Sequence, residues 1–430
     1  MSEDGSDGPP AASVRRALTD ALVEADTVDP FDPLSDLTAV GEVVADATVV
    51  GLGEPSHGTR EVFQLKHRLF RYLVTECGCR LFAIEANFSE LLALDAYVTD
   101  GEGTARERLL DSAVHDVWHC ESVLTLVEWI RSYNERHPED QIRMCGFDMQ
   151  HNETTAEHLH SYLDAVDPDL LGAVEDHLAA IEMPAFDERD VESLHAYADA
   201  CDRVATALTP RFEESRQAYV DRSSPRAFER ARHQVRLLAQ AARQFGAMDP
   251  ENESLEHVGI RDEAMAENVA RLLALEDADL AAVWAHNDHV KRGALASGRY
   301  GEMDSMGQNL AERDDIDYVP VGLSIGSGTV RSYSPETERY ETYPVPPLAD
   351  GSLPATLAAT GVDVGYLDLA QFAPDSPVGE WFAGAPERYS ITGAATDEDP
   401  VGTVESNPQR DFDLLAFVRA SSAAIGLTDE

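Results

Sequence analysis

Ala47-Thr48-Val49-Val50-Gly51-Leu52-Gly53-Glu54-Pro55-Ser56-His57-Gly58-Thr59 is the stretch whose reading decides the fold. Its first half is an apolar, β-branched run bounded by glycine, which reads as a short buried strand. Gly53 and Gly58 permit the tight backbone turns that follow. From Thr59 to Glu76 the apolar residues Val62, Leu65, Leu69, Phe70 and Leu73 fall on one helical face. Glu61 lies in the first turn, as a helix start prefers. The N–H groups at that helix head are expected to face the loop and favour an anion there. Glu54 and His57 thus sit between a strand end and a helix start, where open α/β sheets build their sites.

The same alternation continues outward. Leu81–Ile84 reads as a strand ending on Glu85, with a helix from about Phe88 to Thr99. After Gly101-Glu102-Gly103 comes a helix from about Ser122 to His137, then a strand Ile142–Phe147 ending on Asp148. Strand–helix alternation implies parallel strands with right-handed crossovers. From Thr154 to Leu275 the pattern is helical, through Leu159–Val166, Leu170–Ile181, Val191–Leu208, Arg211–Ala218, Ala227–Gly246 and Glu263–Leu275. Strands return at Leu280–Trp284, Tyr318–Leu323, Gly365–Leu369, Tyr389–Thr392 and Leu414–Val418. The expected fold class is therefore α/β: a central, mostly parallel sheet flanked by helices, with a long all-helical insertion capping the strand ends. The expected organisation is an acidic tail and N-terminal helix (1–30), the first part of the core (31–153), the insertion (154–275) and the second part of the core (276–430). Within the first segment, residues 1–10 read as a disordered tail and Ser13–Ala25 as a helix.

Composition restricts the partners. The chain carries 80 Asp+Glu against 33 Lys+Arg, a formal charge of -47, and its only lysines are Lys66 and Lys291. Such a charge strains a compact state by self-repulsion unless salt screens it, so we read a halophilic protein. A nucleic acid or an anionic membrane as partner is excluded by the sign of the field. Five scattered cysteines make no disulfide framework, which points to reduced thiols in a cytoplasmic protein. The N-terminus lacks a secretory pattern, and no apolar run reaches the about 20 residues of a membrane span. Oligomeric state is not legible.

The chemistry-bearing residues cluster at the strand ends. His57 is a base suited to neutral pH, and Glu54 can hold its tautomer. Glu85 at a strand end is either paired with a cation, such as Arg68 or Arg261, or catalytic. The strand Leu280–Trp284 runs into Ala285-His286-Asn287-Asp288-His289, whose His-x-x-His spacing is a weak metal signal. Arg261, read at a helix head beside Asp262, is a candidate for holding an oxyanion. Trp118, Arg68 and Asp262 are candidate substrate-binding groups. Gly322-Leu323-Ser324-Ile325-Gly326 matches the serine-hydrolase elbow, but that elbow needs a helix next, and Ser327–Pro335 reads as turn and strand.

With these residues in view, the chain resembles the erythromycin esterase family. The resemblance is carried by Gly51–Gly58 with Phe63–Leu69, Phe82–Ala86, Trp129–Asn134, Gly146–Gln150, Arg261–Met265 with Asn268, Trp284–His289 and Ser305–Leu310, in order over roughly residues 40–420. It implies an α/β core with a helical insertion and hydrolysis of an ester, such as a macrolide lactone, without a serine nucleophile. By the same resemblance His57 activates water, and Glu54, Glu85, His286 and His289 line one site.

The expected function is an esterase or lactonase with no required cofactor. His57 is expected to be the base, Glu54 or Glu85 its partner, His286 or His289 the acid, and Arg261 or helix N–H groups the oxyanion holder. Two alternatives stand beside it. One is a non-catalytic protein that binds or sequesters a small molecule in the same cleft. The other is a hydrolase of another substrate using a divalent metal, zinc or manganese, on His57, Glu54, Glu85, His286 and His289.

Overall fold

A computed structural model describes residues 12–112, 116–184, 189–249, 255–296, 303–334, 336–391 and 401–428. The tail expected over residues 1–10 lies outside them. In chain order the strands are β1 (Val23–Glu24), β2 (Val49–Leu52), β3 (Leu81–Asn87), β4 (Arg143–Asp148), β5 (Ala281–Trp284), β6 (Ala294–Ala296), β7 (Met303–Asp304), β8 (Tyr318–Ser334), β9 (Arg339–Val345), β10 (Val364–Asp368), β11 (Glu387–Ile391), β12 (Val401–Glu405) and β13 (Leu414–Ser421).

Nine of them form one sheet in the order β1-β10-β13-β8-β2-β5-β3-β4, with β9 hairpinned onto β8. The six strands from β13 to β4 are parallel, and β1, β9 and β10 pair antiparallel. The fold is therefore α/β with a large, mostly parallel sheet flanked by helices. Strands buried on both faces explain the continuous apolar runs of the sequence. Along β2, β3 and β5, alternate residues serve two cores. Val50, Leu52, Phe82, Ile84, Ala282 and Trp284 pack with the helices Arg60–Glu76 and Glu121–Arg136. Val49, Leu81, Ala83, Ala281 and Val283 pack with the helix Glu256–Glu276.

Register decides where the site lies. Leu52 and Ile84 both pair with Trp284, so β2 and β5 end at one level, beside Ile84 of β3 and one residue before Glu85. Neighbouring strands lie ~4.8 Å apart, so residues just beyond those ends meet although more than 200 positions separate them.

Between Glu153 and Glu276 the described residues form helices: Glu153–Val166, Pro168–Leu178, Val191–Glu214, Arg216–Arg222, Pro225–Gly246 and Glu256–Glu276. The first five pack around a cluster of their own. A buried ion network ties this segment to the sheet edge. Asp95 accepts from Arg143 of β4 and from Arg230, and Glu276 meets Arg143, Arg226 and Arg230.

Several expectations need correction. One helix runs through Pro210 to Glu214, where the sequence suggests a break after Leu208. The helix read as Glu263–Leu275 starts at Glu256, so Arg261 is in its second turn and not at its head. β3 continues two residues past Glu85. β11, read as Tyr389–Thr392, forms with β12 a ribbon separate from the main sheet, and Thr392 itself lies outside the described residues. Ser324 sits inside the unbroken seventeen-residue strand β8, so the turn into a helix that a nucleophile elbow requires is absent there. No helix among the described residues is long and apolar enough to cross a membrane.

Candidate active site

Glu54 and His57 leave the end of β2 in a turn whose compactness is set by close backbone packing. A Cβ at Gly58 would lie 1.8 Å from the carbonyl oxygen of Arg331, so only glycine fits. His57 Nδ1 donates to Glu54 Oε1 at 2.6 Å, which fixes the tautomer and leaves Nε2 as the ring's basic nitrogen. The other oxygen of Glu54 accepts from Lys66 Nζ at 2.5 Å. Glu54 and Lys66 are both fully buried. The ammonium also stands 4.0 Å over the Trp284 ring. Burial pulls the Lys66 ammonium down to about 8, against the attraction of Glu54 and Glu85.

His286 follows β5, the strand beside β2. Its ring lies 5.4 Å from that of His57, centroid to centroid. Its backbone N–H donates to Glu85 Oε2 at 3.1 Å. Its Nδ1 is 3.2 Å from the Asp288 backbone nitrogen and 3.3 Å from Asp288 Oδ2, while its buried Nε2 has no partner among the described residues. Asp288 itself is held by Arg388 at 2.6 Å and by Ser390 at 2.5 Å. Burial would raise the Asp288 carboxyl, but Arg388, His286 and Ser390 hold it well below the usual carboxylate range.

His289 is enclosed. Its Nδ1 donates to Asp262 at 2.8 Å, and Asp262 is fixed by the Met306 N–H at 2.7 Å. Its Nε2 lies 3.3 Å from an Arg261 nitrogen and 3.4 Å from Glu85 Oε1. Burial would lower this imidazole, but Asp262 and Glu85 push it up to about 9. Arg261 reaches Glu85 at 2.9 Å and Asp148 at 2.6 Å, with its Nε also on Asp148. Burial would likewise raise Glu85, but His289, His57 and Arg261 hold it well below the usual carboxylate range.

The structure thus brings Glu54, His57, Glu85, Arg261, His286 and His289 to the ends of β2, β5 and β3. Five expected roles do not fit the placement. Arg68 is buried against Asp36 and the Pro33 carbonyl, two positions on from Lys66 and so about 200° round the helix. It neither meets Glu85 nor faces the site. Asp262 is fully buried under His289 and orients it, so no surface of it is offered to a substrate. Arg261 has donors on Asp148 and Glu85 and a third nitrogen packed 3.3 Å from His289 Nε2, which makes it a strut between strand ends and leaves no group aimed at an oxyanion. Trp118 stands 5.2 Å from the His57 ring but is 1% exposed, so it backs that ring instead of walling an open pocket. The helix head at Arg60 is also closed: Arg60 N–H donates to the Ser422 carbonyl, and Glu61 accepts from Ser422.

Lys66, Asp148 and Asp288 lie within the quoted motifs but are given no role there, and Arg388 and Ser390 lie outside every motif. Lys66 carries a signal in hindsight: it interrupts the apolar face of its helix in a chain with two lysines. Asp148 ends a strand as Glu85 nearly does. Arg388 and Ser390 lie a hundred positions from Asp288, and no spacing connects them.

The five His and Glu side chains named as metal ligands do not suit a divalent ion as arranged. Both oxygens of Glu54 are occupied by His57 and Lys66, and Glu85 serves Arg261 and a backbone N–H. His289 is enclosed by Asp262, Glu85 and Arg261. Among the described residues no three His, Cys, Asp or Glu side chains are grouped to hold a metal.

The chain is similar to known proteins over most of its length. Erythromycin esterase type II of Escherichia coli is 24% identical over 372 residues, covering 80% of this chain and 86% of that one. A putative hydrolase, YbfO, of Bacillus subtilis is 25% identical over 355 residues, covering 78% and 77%. A crystal structure of a Bacillus cereus protein superposes with a TM-score of 0.81 at 24% identity, covering 96% of this chain and 98% of that one. The family model described as erythromycin esterase matches residues 74–421, and the chain belongs to the erythromycin esterase family.

Proposed function

We propose that the protein is an esterase or lactonase that uses His57 to activate water. One observation carries the reading. Two imidazoles meet edge to face at 5.4 Å, one with its tautomer set by a buried carboxylate and the other with an Nε2 that has no partner among the described residues. In the reaction, His57 Nε2 takes a proton from water as the water oxygen bonds to the ester carbonyl carbon. Glu54, held by Lys66, stabilises the imidazolium that forms. His286, as the imidazolium, gives its Nε2 proton to the leaving alkoxide and becomes neutral. His289 is the weaker candidate for that acid, because Asp262, Glu85 and Arg261 enclose it. Glu85, Arg261 and Asp148 hold the strand ends together. Kinship with proteins named esterase and hydrolase supports the reaction class. The substrate is a small-molecule ester or lactone, and a macrolide is one member of that class. All five cysteines are free, which suits a reducing cytoplasm.

The test is a panel of lactones and simple esters, with the purified protein in molar salt, with and without chelator. Turnover that chelator leaves unchanged is expected. Binding of these compounds without turnover would favour a sequestering protein, and turnover abolished by chelator would favour the metal-dependent alternative.

A further inference from the structure

The ribbon β11–β12 lies outside the main sheet, yet it is stitched to the site at two points. Ile391 N–H donates to the Pro55 carbonyl at 2.8 Å, beside a parallel bridge between Ser56 and Ile391. Three positions earlier, Arg388 is 3% exposed and places its guanidinium on Asp288 Oδ1; Ser390 places its hydroxyl on Asp288 Oδ2. One strand therefore fixes both the loop carrying Glu54 and His57 and the carboxylate beside His286.

The geometry at His286 suits two proton states without movement. The resting neutral ring accepts the Asp288 backbone N–H at Nδ1; the acid is the charged ring, which carries a proton on both nitrogens. The charged ring turns no atom: its Nδ1–H faces Asp288 Oδ2 at 3.3 Å. The arrangement repeats that of His57. Lys66, Glu54 and His57 form one series of cation, carboxylate and imidazole; Arg388, Asp288 and His286 form another.

We propose that Arg388 and Ser390 are positioning residues that hold Asp288 so that His286 delivers the leaving-group proton. The proposal rests on the ester-hydrolase reading above. The bond between the carbonyl carbon and the leaving oxygen breaks with its electron pair going to oxygen, and that oxygen takes the Nε2 proton of His286 in its imidazolium form, which leaves a neutral ring with its Nδ1 proton towards Asp288 Oδ2. The proton that His57 took from water returns to His286 through solvent, closing the cycle. Asp288 keeps its charge throughout, because Arg388 and Ser390 supply its other contacts.

An alkoxide needs that proton to leave, whereas p-nitrophenolate does not. The experiment compares kcat for an ethyl ester and a p-nitrophenyl ester of the same acid, in the wild type, Arg388→Met, Ser390→Ala and Asp288→Asn. The ratio of ethyl to p-nitrophenyl kcat is expected to fall at least about tenfold in Arg388→Met and further in Asp288→Asn, within the ~10²–10⁴-fold range of acid–base catalysis. Arg388→Lys is expected to restore part of the ratio. An unchanged ratio, whether both rates fall together or neither falls, overturns the proposal. Ser390→Ala, the mildest change, gives the same readout if the charge variants fail to fold. A wild type inert to both esters refutes the hydrolase reading instead. The relay is then judged by ¹⁵N shifts of the His286 ring, assigned with His286→Gln: they are expected to move in Ser390→Ala, and unmoved shifts overturn it.

Discussion

Lys66→Met is the perturbation most directly scaled by the structure. Methionine keeps the length and the apolar stem of lysine and removes only the charge. Lys66 and Glu54 are both fully buried at 2.5 Å. Removing the ammonium leaves a buried carboxylate with His57 as its remaining side-chain partner. Removing one partner of a buried pair costs about 3–5 kcal/mol. With an unfolding entropy of roughly 2.1 cal/mol/K per residue, or about 0.9 kcal/mol/K over 430 residues, Tm should fall by ~3–5 °C. The double variant Glu54→Gln with Lys66→Met removes both charges and should recover most of the loss, a coupling of about 3 kcal/mol. Arg232→Ala is the control. It breaks an ion pair with Glu229 whose arginine is 45% exposed, and should cost under ~1 kcal/mol. Thermal and denaturant unfolding in molar salt measure all three. A single variant within ~1 kcal/mol of wild type would refute the reasoning. So would a double variant as unstable as the single one, since the loss would then be packing and not charge.

Further outcomes are expected. His289 is raised from its ordinary value near 6.5 to about 9, so the folded state holds its proton more tightly than the unfolded chain. That contribution, on the order of 3 kcal/mol, is complete below pH 6.5 and lost as pH rises through 9. Unfolding free energy measured against pH should therefore slope downward between those limits, and the slope should flatten in His289→Gln; parallel curves would contradict the assignment. Repulsion among carboxylates acts over a Debye length of ~10 Å at 0.1 M salt and ~3 Å at 1 M. Tm should therefore climb into the molar range of KCl, and a flat or falling Tm would dismiss the halophilic reading. Ser324→Ala should keep its activity, and a fluorophosphonate probe should leave the protein unlabelled. Stoichiometric labelling at Ser324 would move the protein to the serine hydrolases.

The strands and the helices were legible because their signals are local. Continuous apolar runs such as Leu81–Ile84 and helical faces such as Val62–Leu73 need no knowledge of distant contacts. Glu54, His57, Glu85 and His286 were legible for one step more: parallel strands bring their ends to one edge. Side-chain direction was not. Asp262 follows Arg261 in sequence, but a helix turns it about 100° away, under His289 and not towards a ligand. Arg68 fails as a substrate group for the same reason, because Lys66 holds the inward face. The charge partners were the least legible. Arg388 reaches Asp288 only through a ribbon outside the sheet. Pro210 stays inside a helix because tertiary packing of Leu208 and Phe212 outweighs the lost hydrogen bond.

The central claim is that water is activated by His57 and no side chain becomes acylated. The most direct measurement is kcat/KM of His57→Ala beside the wild type, on an ester or lactone that the wild type turns over, with circular dichroism and Tm as checks of folding. The account predicts a loss of at least ~10²-fold in a protein that remains folded. Near-wild-type turnover by a folded His57→Ala would contradict it.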